Sequence, residues 1–159
     1  MAKRFSSIKV IAHRGYSSER PENTISSFDW SIESGFPYIE LDIHLTADQV
    51  PIVMHDEYVD RTTDGSGAIK EFTLAQIKEL DAGSWFGPKF IGETVPTLEE
   101  VLVRYSGKAH IFVELKSLEE ILINSLRELV TNLGWMPVPL STSDKGDLQV
   151  PGISVISFA

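Results

Sequence analysis

The chain has 159 residues, 42% hydrophobic and 23% charged, with a formal net charge of −9, a composition typical of one soluble globular domain. The acidic balance argues against nucleic acid or an anionic membrane as the main partner, and the absence of cysteine excludes disulfide and thiolate chemistry. No apolar run approaches the roughly 20 residues of a spanning helix or resembles a secretory signal, so we expect a cytoplasmic protein without stable membrane insertion.

The first predicted unit is a strand followed by a helix. The apolar run Ile8–Ala12 predicts a short buried strand. Asn23 or Thr24 can cap the helix, and Gly35 can end it. The apolar residues of this helix recur at helical spacing: Ile25, Phe28 and Ile32.

The next predicted unit is a β-hairpin. Tyr38–Leu45 alternates strictly between apolar and polar residues, which indicates a strand with one apolar face. Another apolar run, Pro51–His55, follows after five residues. Parallel strands need a crossover of about a dozen residues or more, so the two runs are predicted to pair as a hairpin.

Strands and helices alternate through the rest of the chain. Capping boxes predict helices that begin after Thr73 and Thr97. The alternating segment His110–Lys116 predicts a strand, residues 117–134 predict a long helix, and residues 153–158 predict a last strand. This alternation is typical of an α/β protein with a parallel sheet.

The polar faces of two predicted strands restrict the possible fold classes further. A doubly wound sheet would cover both faces of its central strands with helices, and both faces would be apolar. Here two strands carry acids on one face, which a barrel explains because inward residues near the C-terminal strand ends line the active-site mouth. We therefore predict an α/β fold of the TIM (β/α)8 type. Such a barrel takes roughly 250 residues, so residues 1–159 are expected to form a single domain covering about its first half.

Three carboxylates at strand ends form a candidate cation site. Glu40 and Asp42 leave the same strand face roughly 6 to 7 Å apart at the backbone, and Glu114 lies at the late end of its own strand. An all-carboxylate site suits Mg²⁺ or Ca²⁺ better than Zn²⁺. The alternative is a structural network in which these acids pair with Arg14 and Lys116.

Two histidines are candidate acid and base groups. His13 follows the first predicted strand and His55 follows the hairpin strand, so both can reach the same mouth. Two histidines can divide acid and base work near neutral pH. Taken singly, each is better explained as a structural residue, and structural roles are favoured still more strongly for His44 and His110.

Several short motifs occur in the order found in one enzyme family. They are His13-Arg14 with Glu22-Asn23, ELD at 40–42, His55-Asp56 followed by DRTTDGSG, PTLEEVL at 96–102 and VELK at 113–116. From about Ile11 to Lys116 the chain thereby resembles the glycerophosphodiester phosphodiesterases. The resemblance implies a TIM barrel with a small insertion after the second strand, which fits a hairpin and insertion region at residues 46–96.

The resemblance also implies a reaction and a set of site residues. The reaction is metal-dependent hydrolysis of a small glycerophosphodiester to sn-glycerol 3-phosphate and an alcohol, in lipid and glycerol metabolism. The residues that match the family's motifs are Glu40, Asp42 and Glu114 as ligands of Mg²⁺ or Ca²⁺, His13 and His55 as acid and base, Arg14 and Lys116 as phosphate contacts, and Glu22 and Asn23 as the rest of the opening motif.

Two other functions fit parts of the sequence. A phospholipase D-type phosphodiesterase acting on lipid head groups would need an apolar, membrane-facing loop, for which GSWFGPKF at 83–90 is the candidate. A non-catalytic or inactive barrel fragment would bind Mg²⁺ or Ca²⁺ without turnover. A half barrel also leaves an open sheet edge, so we expect either a longer natural protein or a homo-oligomer.

Overall fold

The computed structural model describes residues 9–117, 120–134, 149–150 and 152–156. In this part of the chain, six strands form one sheet: β1 (Ala12–His13), β2 (Tyr38–Leu45), β3 (Pro51–Val53), β4 (His110–Leu115), β5 (Gln149–Val150) and β6 (Ile153–Ile156). Its helices are α1 (Ile25–Glu33), α2 (Leu74–Ile77), α3 (Leu98–Tyr105) and α4 (Glu120–Asn132), with short 3-10 turns at Ile69–Glu71 and Pro88–Phe90. No helix among these residues is long and apolar enough to cross a bilayer.

The helices begin where side chains can satisfy their first backbone N–H groups. Thr24, not Asn23, caps α1, because its hydroxyl accepts a hydrogen bond from the backbone N–H of Ser27. Capping boxes start α2 at Thr73 and α3 at Thr97, as predicted.

Strands β1, β2, β4 and β6 run parallel in that spatial order. Helices connect the successive parallel strands β1, β2 and β4, so the carboxyl ends of the strands meet at one edge of the sheet. The register sets His13 beside Glu40, and Asp42 beside Glu114. The hairpin prediction is confirmed, since β3 pairs with β2 in the antiparallel sense.

The apolar face of the sheet packs against the outer helices. Along β4, buried residues alternate with half-buried ones, which confirms the predicted division of its faces. The main core joins the two central strands to α1, α3 and α4 through fully buried side chains, among them Ile39, Leu41, Ile111, Val113, Phe28, Leu102 and Leu126. Burying one such side chain contributes about 1.5 to 3 kcal/mol.

A second, smaller core lies under the hairpin and the segment that follows it. Its buried residues are Ile52, Met54, Val59, Ile69, Ile77, Ala82 and Val95. The segment between the hairpin and α3 therefore has its own apolar packing, although the bounds 46–96 for an insertion remain a prediction.

Several predicted element bounds need correction. Ile8 lies outside the described residues, and residues 9–11 are not in a strand. Of the described strands, only β2 pairs with β1, and without a partner on its other side the run before Ala12 is left exposed. As a result, His13 ends β1 instead of following it. The hairpin strand ends at Val53, two residues before His55; residues 118–119 and 157–158 lie outside the described part.

Candidate active site

The neighbouring strands β2 and β4 bring three acidic side chains together. Glu40, Asp42 and Glu114 each place one carboxylate oxygen within 4.8 Å of the others. Glu40 and Asp42 are buried, and Glu114 is partly buried. The cluster expected from strand spacing is therefore present, and it consists of oxygen donors only.

The charge balance of this cluster favours an added cation. Burial and the neighbouring Asp42 carboxylate raise the pKa of Glu40 to about 7. One oxygen of Glu40, Oε2, accepts a hydrogen bond from the backbone N–H of Arg14 at 2.9 Å, whereas the buried Oε1 has no hydrogen-bond partner among the described residues. A buried, unpartnered carboxylate oxygen in an all-oxygen group fits a hard divalent cation such as Mg²⁺ or Ca²⁺.

Two basic side chains also contact the acids, as the structural-network alternative expected. Lys116 Nζ lies 2.8 Å from Asp42 Oδ1 and 2.5 Å from Glu114 Oε1. Burial opposes the charge on Lys116, but these two contacts raise its pKa. Arg14 Nε lies 3.4 Å from Asp42 Oδ2. The basic groups thus contact Asp42 and Glu114 and leave Glu40 Oε1 without a hydrogen-bond partner among the described residues. The same three acids can therefore form both the ion-pair network and a cation site.

The loop between β1 and α1 holds Arg14 and Asn23 in an uncommon backbone conformation. Both residues have φ of +57°, in the left-handed region that is strained for non-glycine residues. The backbone N–H of Asn23 donates to the Arg14 carbonyl at 3.0 Å, and its side-chain Nδ2 donates to Asp42 Oδ2 at 2.9 Å. Asn23 therefore positions Asp42 instead of capping the helix.

His13 and His55 are held differently. The side chain of His13 is 65% exposed, and its Nε2 lies 3.9 Å from Glu40 Oε2. His55 Nδ1 donates to Asp56 Oδ1 at 2.6 Å, which leaves Nε2 of His55 available for proton transfer. His44 fixes the backbone there, because its Nε2 donates to the His55 carbonyl at 3.0 Å.

A cavity of about 630 Å³ adjoins this region, and His44, His55 and Lys116 are among its lining residues. That volume falls within the range of small-molecule sites. The cavity extends from the end of the hairpin to the end of β4, and both His55 and Lys116 line it.

Glu22 lies away from the three carboxylates and is bonded to two arginines. Its Oε1 accepts from Arg14 at 3.1 Å, and both of its oxygens accept from Arg61. Although partial burial opposes ionisation, these arginines hold the pKa of Glu22 below its ordinary value. Arg61 lies within the motif DRTTDGSG, but the sequence alone predicts no role for it, and its place three residues before the turn-rich DGSG is the only local signal there.

The chain matches one family model, described as the glycerophosphoryl diester phosphodiesterase family, over residues 13–140. A glycerophosphodiester phosphodiesterase of Caldanaerobacter subterraneus is 50% identical over 127 residues, which cover 75% of this chain and 52% of that protein. The chain spans about half the length of the curated relatives it matches.

Solved structures confirm the fold class. A glycerophosphodiester phosphodiesterase from Agrobacterium tumefaciens superposes with a TM-score of 0.80 and 35% identity, over 95% of this chain and 58% of that one. An Oleispira antarctica phosphodiesterase in complex with the product sn-glycerol-3-phosphate gives a TM-score of 0.75 and 41% identity, over 78% and 52%. The fold is that of a TIM barrel, and this chain forms part of one.

Proposed function

Because the chain belongs to the glycerophosphoryl diester phosphodiesterase family, we propose that the natural protein hydrolyses glycerophosphodiesters to sn-glycerol 3-phosphate and an alcohol. The observation that carries the proposal is the group of three carboxylates with Arg14, Lys116 and His13 beside it, next to a cavity that His55 and Lys116 both line. The sn-glycerol-3-phosphate complex of the Oleispira antarctica relative supports this choice of product.

Glu40, Asp42 and Glu114 would hold the cation, Mg²⁺ or Ca²⁺. When bound, that cation supplies positive charge against the charge that builds on the phosphoryl oxygens. The fit rests on the unpartnered Glu40 Oε1 and on the absence of nitrogen and sulfur donors from the cluster.

Arg14 and Lys116 would bind the phosphodiester itself. An ammonium group has three N–H donors. Lys116 donates one hydrogen bond to Glu114 Oε1 and lies 2.8 Å from Asp42 Oδ1 as an ion pair, so donor capacity remains for a phosphoryl oxygen. The Arg14 guanidinium, held by Glu22, adds planar donors of the kind that match phosphate. Both groups are fixed before substrate arrives, which lowers the cost of orienting them.

His13 and His55 would divide the proton transfers. One removes a proton from the nucleophile, either water or a neighbouring glycerol hydroxyl, and the other gives a proton to the oxygen of the departing alcohol. Asp56 orients His55 through Nδ1, which directs its Nε2 towards the reaction. The exposed ring of His13 lies next to Glu40 and can reach a bound substrate.

The structure gives no specific support for a lipid substrate. The loop at 83–90 packs on itself, with Phe86 edge-on to Trp85 and Phe90, and Phe90 is only 4% exposed. Phe86 and Phe90 therefore pack within the loop, whereas Trp85 is 39% exposed.

The test compares two substrates with the natural full-length protein. We expect glycerophosphocholine to be hydrolysed to sn-glycerol 3-phosphate and choline, and micelles of lysophosphatidylcholine to be hydrolysed much more slowly, to lysophosphatidic acid and choline. Faster release of choline from the micelles would favour the phospholipase D-type alternative. Cation binding without release of product from either substrate would identify a non-catalytic barrel.

A further inference from the structure

The guanidinium of Arg61 lies between two carboxylates from different loops. Its Nε and NH2 donate to the two oxygens of Asp56, at 2.6 and 3.0 Å. Its NH1 and NH2 donate to the two oxygens of Glu22, at 3.0 and 2.7 Å. One planar group thus makes two bidentate pairs, which is the geometry that arginine offers and lysine cannot reproduce.

Each of the two carboxylates is bonded in turn to a proposed reaction group. Asp56 accepts the Nδ1 hydrogen bond of His55, and Glu22 accepts a hydrogen bond from Arg14. Glu22 belongs to the loop after β1, whereas Asp56 follows the hairpin, so Arg61 links two loops that no strand pairing joins directly.

We propose that Arg61 is a positioning residue: by fixing Asp56 and Glu22 together, it orients the His55 imidazole and the Arg14 guanidinium relative to each other. The inference rests on the phosphodiester hydrolysis proposed above. Arg61 acts at a distance through its two carboxylates, and its effect on turnover would come from the orientation of groups that touch the substrate.

A contribution to folding stability alone does not explain why Arg61 makes four hydrogen bonds to Asp56 and Glu22. The Arg61 side chain is 43% exposed, so solvent screens its ion pairs and lowers what they contribute to the free energy of unfolding. Arg61 holds the pKa of Asp56 far below its ordinary value, so this carboxylate stays charged and continues to accept from His55. To orient His55, the Asp56 carboxylate must stay charged and the plane of the Arg61 guanidinium must stay fixed.

The chain offers a matched control for the test. Arg104 donates to Asp29 from Nε and NH2 at 3.0 and 2.6 Å, and its side chain is 50% exposed. This second bidentate pair joins α1 to α3 on the outside of the sheet. Arg104→Ala therefore removes a comparable surface ion pair that lies away from the histidines and the acids.

The kinetic test measures kcat and KM of the natural full-length protein on glycerophosphocholine. We expect R61A to lower kcat on the order of 100-fold with little change in thermal midpoint, R61K to resemble R61A, and R104A to keep the wild-type kcat. We expect the R61A/D56N double variant to be about as slow as the slower single variant, because both changes break one unit. A wild-type kcat in R61A, or multiplying losses in the double variant, would overturn the inference.

A spectroscopic test decides the question even if glycerophosphocholine is not turned over. Protein with ¹⁵N-labelled histidine, in which the His55 signal is assigned from its loss in H55Q, reports the Nδ1–H hydrogen bond by NMR. We expect this bond in the wild type and in R104A, and we expect R61A and R61K to lose it. Persistence of the bond in a folded R61K protein would show that Arg61 does not position His55. Inactive wild-type protein would count against the proposed function alone.

Discussion

Asp42 and Glu114 lie directly opposite each other on the parallel strands β2 and β4, and the ammonium group of Lys116 contacts both carboxylates. The two acids repel each other unless positive charge is present between them. Lys116 supplies part of that charge, which places it in competition with a bound cation for the same oxygens.

This competition predicts two opposite effects of Lys116→Met. Removing the ammonium should tighten Mg²⁺ or Ca²⁺ binding about tenfold, because a like charge within a few ångströms disfavours the cation. The same change should lower kcat/KM on glycerophosphocholine, because a phosphate contact is lost. Calorimetric titration and steady-state kinetics measure the two effects, and weaker cation binding in K116M would contradict the assigned geometry.

Asp42→Asn should weaken cation binding at least about tenfold, since the number of charged ligands sets the affinity of oxygen sites. The amide keeps the size of the side chain, so the core beneath β2 should stay intact. Asp29→Asn is the control, because Asp29 bonds Arg104 on the outer helices. Equal cation affinities for D42N and D29N would show that Asp42 is not a ligand.

Both the backbone conformation and the close packing at position 15 require glycine. Its φ is +76°, and an added Cβ would lie 2.8 Å from Ser27 Cβ and 2.9 Å from the Phe28 ring. Gly35 has a similar φ of +86°, but an added Cβ there meets nothing within 4 Å. We expect Gly15→Ala to lower the free energy of unfolding by about 2 to 4 kcal/mol, and Gly35→Ala by about 1 to 2 kcal/mol.

Urea denaturation curves provide the comparison of these two variants. Gly15 lies next to Arg14 in the loop between β1 and α1, which also holds Asn23. G15A should therefore displace these residues and reduce kcat, whereas G35A, after α1, should not. Equal losses of stability in the two variants would mean that the loop can move away from α1 at little cost.

The raised pKa of Glu40 predicts a pH dependence in the cation-free protein. Its folded pKa of about 7 lies above the ordinary value of 4.5, so the folded state binds the proton more tightly than the unfolded state does. The resulting stability is fully present below pH 4.5 and is lost as the pH rises through about 7. In chelator, the free energy of unfolding should therefore fall between these pH values.

Glu40→Gln is the matched variant for this titration, because its amide cannot ionise. We expect denaturant midpoints in chelator to fall less steeply with pH for E40Q than for the wild type. Saturating Mg²⁺ or Ca²⁺ should also flatten the wild-type curve, since a bound cation favours the ionised carboxylate. Parallel curves for E40Q and wild type would remove Glu40 as the source.

Local patterns in the sequence were enough to find the carboxylate group. Strict alternation in β2 set Glu40 and Asp42 on one face, and capping boxes fixed the starts of two helices. The features that the sequence did not predict depend on contacts between segments that are distant along the chain. Among the described strands β1 pairs with β2 alone and spans only two residues, and no single stretch of sequence records that pairing.

Arg61 shows the same limit within the site. It is 39 residues from Glu22 along the chain, and the fold brings the two side chains together through the hairpin. Asn23 was open to two interpretations, since either it or Thr24 could cap α1. The left-handed φ of Asn23 and its bond to Asp42 decide between them, and neither feature has a local signature.

The most direct test of the central claim is the rate of sn-glycerol 3-phosphate release from glycerophosphocholine by the natural full-length protein, measured in chelator and after Mg²⁺ or Ca²⁺ is restored. We predict turnover that disappears on chelation and returns with the cation, and no turnover in D42N under either condition. Turnover that continues unchanged in chelator would contradict the role assigned to Glu40, Asp42 and Glu114.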